Sequence, residues 1–261
     1  MAIWALVTGA SEGLGREFAI LAAKSGFDVI LTARQEDKLQ RLAHELTRAY
    51  HVDVDIIPAD LSNPAEVERL WMEAVQGREI GVLINNAGLG RNGAFSDPAG
   101  WPREADSVSV NVVAATILLK AAATHMAENR SGHILNVASL AGFMAGPQMA
   151  VYHATKAYLL SLSEAVAVEM KGSGVRVTTL CPGVTETAFF AADAGERTTI
   201  VNRILPMASA EKVAQAGWTG MEKGRRIVVP GLLNKLVAVL AHVLPRRLMT
   251  TVTGMLLRRR W

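Results

Sequence analysis

Short apolar runs alternate along the chain with longer segments in which apolar residues recur at helical spacing. The runs at 3–7, 28–32, 52–57, 82–84, 133–137, 175–180 and 227–229 are typical of buried strands. The intervening segments predict helices at 12–25, 38–50, 65–75, 106–129 and 150–171. Strands separated by helices of this length favour right-handed crossovers. The pattern therefore predicts an α/β fold, a doubly wound parallel sheet of about seven strands with helices on both faces.

Composition supports a single well-filled domain. Half of the 261 residues are apolar and a fifth are charged, which argues against a disordered chain. The lone cysteine, Cys181, excludes an intrachain disulfide and favours a reducing compartment, so we expect a cytoplasmic location. The N-terminal apolar run lacks the basic region of a signal peptide and leads directly into a glycine turn.

The formal charge of +3 arises from the C-terminus, where five arginines lie within the last sixteen residues. Removing these five from the 27 Lys and Arg leaves 22, against 24 Asp and Glu. We find no basic stripe with interleaved aromatics in the remaining sequence, and we expect no nucleic-acid partner. The five are Arg246, Arg247, Arg258, Arg259 and Arg260.

The segment 231–261 is predicted to be a helical extension of the domain formed by residues 1–230. Its apolar stretch at 232–244 is too short to span a bilayer, and a second partly apolar stretch follows at 248–257. Three interpretations stay open: packing on the body, burial at a subunit interface, or peripheral contact with an anionic membrane. Packing is favoured over the other two, and membrane contact is the least favoured.

A glycine-rich turn follows the first predicted strand and opens the first helix. Such a turn lets the backbone approach a pyrophosphate, and the helix N-terminus supplies free N–H groups. A tight turn without a ligand is the alternative, but the order strand, turn, helix is the one that a dinucleotide site requires. The candidate cofactor-binding residues here are Gly9, Ser11, Glu12, Gly13, Leu14 and Gly15.

The end of the second strand carries Arg34 where an acidic residue would bind ribose hydroxyls. A guanidinium pairs with a 2′-phosphate, whereas a carboxylate repels it. This favours NADP(H), with NAD(H) still possible. The alternative is an exposed arginine that opens a solvated helix, as Lys38 and Arg41 are expected to be. The third and fourth strands end in Asp60-Leu61 and Asn85-Asn86-Ala87-Gly88, at the sheet edge where ligands bind. Asparagine amides there can also tie neighbouring loops together.

Tyr152 and Lys156 stand four residues apart on one predicted helix, thirteen residues after Ser139. Residues at i and i+4 share a helix face, so the ammonium is placed to lower the pKa of the phenol. A serine hydroxyl alongside would hold a carbonyl or alcohol oxygen at the phenol. The three residues suggest acid–base chemistry on a C–O bond.

An ordered series of motifs runs along the chain: TGASEGLG at 8–15, Asp60, NNAG at 85–88, Asn111, Ser139, Tyr152 with Lys156, and Pro182-Gly183 followed by Thr185 and Thr187. This series resembles the short-chain dehydrogenase/reductase family. The resemblance covers about residues 1–190 and implies a Rossmann-like fold. The Val-Pro-Gly and Leu-Pro-Arg segments near the end resemble, more loosely, an NADP(H)-preferring bacterial-type subgroup.

The resemblance implies a role for each catalytic residue. Tyr152 would be the general acid in reduction, Lys156 would lower its pKa and hold the nicotinamide ribose, and Ser139 would polarise the substrate oxygen. Asn111 would hold a water that links Lys156 to solvent; as an alternative, it is a polar residue that kinks a helix.

The cofactor contacts implied by the resemblance lie at the other strand ends. Those at the adenosine are Asp60, Leu61, Asn86, Ala87 and Gly88, and those at the nicotinamide are Tyr152, Lys156, Pro182, Gly183, Val184 and Thr187. The family also implies a small-molecule carbonyl or alcohol substrate and a homodimer or homotetramer, with helices 106–129 and 150–171 as the interface.

Two other functions are weighed against a carbonyl reductase. A nucleotide-sugar epimerase or dehydratase would have a GxxGxxG turn and a longer C-terminal part, and an NADP(H)-sensing regulator would lack the tyrosine or the lysine. We expect no metal, because the histidines are scattered: His44, His51, His125, His133, His153 and His242.

The substrate is the least determined feature. A substrate loop is expected at about 188–210, where Phe189, Phe190 and Ile200 would form an apolar wall if 188–206 is a lid; ordinary packing of two short helices is as good an interpretation. Phe143, Met144 and Met149 suggest a lipophilic pocket, since flexible methionines fit irregular ligands.

Overall fold

The computed structural model describes residues 2–186 and 207–257. The first half of the fold is β1 (Ile3–Thr8), α1 (Gly13–Lys24), β2 (Asp28–Thr32), α2 (Glu36–Tyr50), β3 (Val54–Ile56), α3 (Pro64–Ala74) and β4 (Glu79–Asn85). There follow α4 (Trp101–Val108), α5 (Ala115–Glu128), β5 (Gly132–Val137), α6 (Ala150–Glu169), β6 (Val175–Leu180), β7 (Thr185–Glu186), β8 (Ala208–Ser209), α7 (Ala210–Glu222), β9 (Ile227–Val228), α8 (Leu232–Val243) and α9 (Arg246–Leu257).

Seven parallel strands form the central sheet in the order β3-β2-β1-β4-β5-β6-β9, as the alternating pattern predicted. The chain builds outward from β1 to β3 and then crosses over to β4 on the other side of β1. This reversal creates a crevice at the carboxyl ends of β1 and β4, which is where ligands bind in doubly wound sheets.

The sheet separates two apolar cores. One contains Phe18 of α1, Leu39 of α2 and Trp218 of α7, all almost fully buried. The other contains Leu70 of α3 and Leu118 of α5. Helices therefore cover both faces of the sheet. The strand sequences are continuous apolar runs because neither face is exposed to solvent.

The helix predicted at 106–129 is longer at its start and is interrupted. It begins at Trp101, and between α4 and α5 the segment Ser109–Ala114 is a π-helix. A π-turn in a helix is frequently found at a functional site. Together with the preceding turn, residues Pro98–Glu128 are long and apolar enough to cross a membrane by length and composition alone. Half of the most apolar stretch is buried within the fold, as in a core helix.

The C-terminal extension consists of α8 and α9, and it meets the body only in part. α8 packs on the turn at 140–143, and of its own residues only Ala238 is buried. Residues 187–206, which include Phe189, Phe190, Ile200 and most of the predicted substrate loop, lie outside the described residues, as do Arg258, Arg259 and Arg260.

Candidate active site

A cavity of about 700 Å³ opens at the carboxyl ends of the strands, on both sides of the crossover between β1 and β4. It brings together most of the residues predicted from sequence, from the glycine turn at one end to the tyrosine and lysine at the other. The predicted residues that line it are Gly9, Ser11, Glu12, Gly13, Leu14, Arg34, Asp60, Leu61, Asn86, Ala87, Gly88, Ser139, Tyr152, Lys156, Pro182 and Gly183.

The glycine turn has the shape that a pyrophosphate needs. Gly9 and Gly13 adopt positive φ angles of 64° and 58°, which other residues rarely adopt. A β-carbon on Gly15 would lie 2.0 Å from the Gly9 carbonyl oxygen, so only glycine permits this close approach. The first turn of α1 contains no acidic residue, and Glu12 makes no side-chain cap. The N–H groups of α1 are therefore available to an anion, and the turn fits a dinucleotide.

Thr8 and Asn86 join the glycine turn to the end of β4. The Thr8 hydroxyl oxygen accepts hydrogen bonds from the N–H groups of Asn86 and Ala87, each at 2.9 Å. The Asn86 amide donates to the Thr8 carbonyl oxygen at 2.8 Å. The Asn86 amide thus ties two loops together, which sequence reasoning held open as an alternative to ribose binding. The part played by Thr8 was not predicted, because it requires β1 and β4 to be neighbours.

Arg34 and Asp60 lie at the adenosine end of the cavity. Asp60 accepts hydrogen bonds from the Ser62 N–H at 3.0 Å and the Ser62 hydroxyl at 2.8 Å. The backbone bond is the main cause of a lowered pKa for Asp60, with the charge of Arg34 contributing less. Glu12, also at this end, is paired with Lys38 at 2.6 Å, which neutralises its charge beside the glycine turn.

Ser139 and Tyr152 form a hydrogen-bonded pair at the other end. Burial raises the pKa of Tyr152 to about 12, and the hydrogen bond with Ser139 lowers it in part. Each of these two hydroxyls can act as donor or as acceptor. Ser139 is held in turn by the Ala141 N–H, which donates to its oxygen at 3.1 Å.

Lys156 is buried beside this pair. Its ammonium nitrogen donates to the Val137 carbonyl oxygen at 2.8 Å and lies 5.8 Å from the centre of the Tyr152 ring. Burial lowers the pKa of Lys156 to about 8. The causes that shift the pKa of Tyr152 are burial and Ser139, and the net shift is upward, so the lowering expected from Lys156 is not seen here and stays a prediction.

Asn111 occupies the π-helical segment and lies behind the cavity wall. Its amide donates to the Leu89 carbonyl oxygen at 2.7 Å and to the Thr155 hydroxyl at 3.0 Å, and its oxygen accepts from the Leu89 N–H at 2.8 Å. Thr155 donates to the Tyr152 carbonyl oxygen at 2.8 Å. Asn111 therefore joins the loop after β4 to the helix that carries Tyr152, and its role in a water relay stays a prediction.

Several residues that were expected to contact the cofactor or the substrate do not line the cavity. Gly15, Asn111 and Val184 are not among the lining residues, and Thr187 lies outside the described residues. Phe143, Met144 and Met149, predicted to form a lipophilic pocket, do not line this cavity either. Phe143 instead packs against the core cluster of Ala138, Leu160 and Cys181, and it contacts His242 of α8 at 5.4 Å between ring centres. A further group of lining residues was not predicted: Leu89, Gly90, Pro102, Arg103, Asp106 and Val110.

Within residues 2–186 and 207–257, no group of three His, Cys, Asp or Glu side chains is placed to hold a metal ion. The histidine nearest the catalytic pair, His153, contacts the Met144 carbonyl oxygen at 2.8 Å through Nδ1. Burial lowers the pKa of His153. It therefore packs the turn at 144–146 as a neutral ring.

Comparison with protein families matches residues 3–197 to the short chain dehydrogenase model. Hydroxysteroid dehydrogenase-like protein 1 of Gallus gallus is 34% identical over 189 residues, which are 70% of this chain and 56% of that protein. The very-long-chain 3-oxoacyl-CoA reductase of Coprinopsis cinerea is 36% identical over 176 residues, 67% of this chain and 52% of that protein. The chain thus spans about half the length of these curated relatives.

Solved structures resemble the fold over nearly its whole length. A short-chain dehydrogenase from Sphingobium yanoikuyae in complex with NADPH is 28% identical, with a TM-score of 0.81 over 94% of this chain and 96% of that one. A structure described for 7β-hydroxysteroid dehydrogenase stereoselectivity is 27% identical, with a TM-score of 0.85 and 96% of both chains covered. A relative from Burkholderia phymatum in complex with NAD is 26% identical, with a TM-score of 0.81 over 92% of this chain and 93% of that one.

Proposed function

Because the chain belongs to the short-chain dehydrogenase family, we propose that it is an NADPH-dependent oxidoreductase. It transfers a hydride between nicotinamide and a lipophilic small molecule that carries a carbonyl or secondary alcohol group. One observation carries the proposal: the hydrogen-bonded Ser139–Tyr152 pair shares a single cavity with Lys156 and a glycine turn built for a pyrophosphate.

The protein's part in the reaction is to hold the substrate oxygen and to supply its proton. The glycine turn, Arg34 and Lys156 would hold NADPH, which would supply the hydride when bound. The Tyr152 phenol, with a pKa of about 12, is protonated throughout the neutral range and donates its proton to the oxygen as negative charge develops there. The Ser139 hydroxyl, fixed by Ala141, donates to the same oxygen. The buried ammonium of Lys156 stabilises the phenolate that the transfer leaves behind.

Preference for NADPH is supported at the adenosine end of the cavity. Arg34 is exposed at the rim, where a 2′-phosphate would extend from the ribose. The one carboxylate in the glycine turn, that of Glu12, is neutralised by Lys38. Relatives with NADPH and with NAD are both known, so the family by itself does not choose the cofactor.

A lipophilic substrate is supported by the apolar part of the cavity lining. Leu89, Val110, Val137 and Ala138 contribute to this wall. Two of the similar proteins are named for acyl-CoA and steroid substrates. The deciding experiment is a panel of bulky and small ketones assayed for oxidation of NADPH and of NADH. Turnover of no ketone or alcohol in either direction would refute the proposal.

We also propose a homodimer or homotetramer that associates through α5 and α6. Val113 just before α5, and Tyr158 and Val168 on α6, are large apolar or aromatic side chains exposed to solvent. Sedimentation velocity on the purified chain tests this assembly, and a monomer at micromolar concentration would contradict it. A cytoplasmic location is proposed from the free, buried Cys181.

A further inference from the structure

Helix α8 exposes an apolar face that the rest of the described chain leaves uncovered. Leu232, Leu236, Val239 and Val243 follow one another at intervals of three or four residues and lie on one side of the helix. Their exposed fractions run from 53% to 84%. Leu233 and Leu240 widen the same face. Isolated exposed apolar residues are ordinary, but a contiguous face of six marks an interaction surface.

Positive charge borders this face. Lys235 is exposed on α8 at the edge of the stripe, and Arg246 and Arg247 are exposed at the start of α9. The sequence contains no Asp or Glu after Glu222, whereas Lys and Arg occur nine times in the same stretch. An apolar face beside exposed basic residues is the arrangement of helices that lie in the interface of a membrane with anionic lipids.

We propose that the α8 face docks on the surface of a bilayer containing anionic lipids. The leucine and valine side chains enter the boundary between headgroups and acyl chains, and the lysine and arginines contact the lipid phosphates. The helix has 12 residues and lies along the surface, since it is too short to span the bilayer.

A second copy of the chain fits this surface less well. A two-fold dimer places the same patch of both copies together, so that the basic border of one copy meets that of the other. The stretch that follows Glu222 has no acidic residue to neutralise them. Like charges facing each other across an interface weaken association, whereas anionic headgroups supply the missing negative charge.

The position of α8 connects this surface to the active site. Its opposite side packs on the turn at 140–143 that directly follows Ser139. Phe143 contacts His242, and Asn234 lies beside Gly183 of the cavity wall. A docked enzyme therefore holds its catalytic end close to the bilayer, where lipophilic carbonyl compounds concentrate. The docking itself does not depend on the proposed reaction.

The test is co-sedimentation of the full chain with vesicles of phosphatidylcholine containing about a third phosphatidylserine, in low salt. We expect the wild-type chain to sediment with these vesicles and much less with pure phosphatidylcholine. A Leu236→Glu/Val239→Glu variant should bind at least about tenfold more weakly, because two buried apolar side chains are lost and two carboxylates are placed against anionic lipid. Met72→Glu, at a residue 70% exposed on α3, is the matched control and should bind as the wild type does.

Far-ultraviolet circular dichroism of each variant reports that it is folded. Failure of the wild-type chain to sediment with anionic vesicles at low salt overturns the proposal. Equal binding by the double variant also overturns it. A third outcome would identify the face as a subunit interface. In that case the wild-type chain does not bind vesicles and is a dimer in sedimentation velocity, whereas the double variant is a monomer.

Discussion

The side chain of Asn111 pairs with both backbone polar groups of Leu89, accepting from its N–H at 2.8 Å and donating to its carbonyl at 2.7 Å. Because Asn111 sits in the helix and Leu89 in the loop after β4, this pair fixes one wall of the cavity.

Asn111→Ala leaves both Leu89 groups without these partners. We expect the free energy of unfolding to fall by about 2–6 kcal/mol, since each of the two partly buried polar groups left unpaired costs about 1–3 kcal/mol. Urea denaturation measures the change. Asn129→Ala, at an exposed asparagine just after the same helix, is the control and should change stability by less than about 0.5 kcal/mol. An equal effect of the two substitutions would contradict the pairing.

Tyr152→Phe removes the proton donor and keeps the ring. We expect kcat to fall by about 10²–10⁴, the usual contribution of a positioned acid, while NADPH binding is retained. The control is Tyr158→Phe, on the same helix, whose hydroxyl contacts Thr116 on the exposed surface at 3.0 Å. Steady-state kinetics and cofactor titration provide the measurements. Wild-type kcat in Tyr152→Phe would refute the assignment of the acid.

Arg34→Asp places a carboxylate where a 2′-phosphate is expected. We predict that the ratio of kcat/KM for NADPH to that for NADH drops by at least about tenfold, since loss of a charge-assisted bond costs about 1.5–3 kcal/mol. Arg41→Asp, a residue exposed on α2, should leave the ratio unchanged. An unaltered ratio in Arg34→Asp would mean that the phosphate is recognised by other residues.

Lys156 makes stability depend on pH. Burial lowers its pKa from 10.5 to about 8, so the unfolded chain binds more protons than the folded chain between these values. The contribution of Lys156 to stability therefore rises with pH in this window. Relative to Lys156→Met, we expect the wild-type chain to gain about 2–3 kcal/mol between pH 7 and pH 10, at about 1.4 kcal/mol per pKa unit.

We end the pH range at 10 because Tyr152 has the opposite effect on stability above this pH. Its pKa is raised in the folded chain, so the phenol of the unfolded chain ionises first and the stability of the fold decreases. Lys120→Met, at an exposed lysine on α5, should show no such pH-dependent difference. Parallel stability curves for wild type and Lys156→Met would show that the ammonium is not desolvated in the folded chain.

The fold was predictable because the signal for each element is local. Apolar runs and helical spacing placed the sheet strands and most of the helices near their observed bounds. The strand predicted at 82–84 instead runs from Glu79 to Asn85, since its ends pair with β1 and β5 and Glu79, Gly81 and Asn85 interrupt the apolar run. The π-helical form of Ser109–Ala114 was not predicted; the sequence analysis held open only that Asn111 kinks a helix.

The polar bonds between distant elements were not predictable. Asn85 donates to Asn136 at 3.1 Å, and Asn136 donates to Ser163 at 2.8 Å, entirely within the core. Buried polar groups need partners, but the sequence does not say which ones until β4, β5 and α6 are adjacent. The same holds for Arg103 and Asp106, which reach the cavity only because α4 crosses its mouth.

The π-helical segment determines the direction in which the side chains of α5 point relative to those of α4. An α-helix turns by about 100° per residue, so one additional residue in a wide turn rotates all that follows by that amount. Ahead of the segment, α4 directs Pro102, Arg103 and Asp106 to the cavity; beyond it, α5 buries Leu118, Ala122 and Met126. If the same residues formed an unbroken α-helix through Ser109–Ala114, each residue of α5 would point about 100° away from its observed direction. With the cavity wall in place, the core face of α5 would then turn away from the sheet.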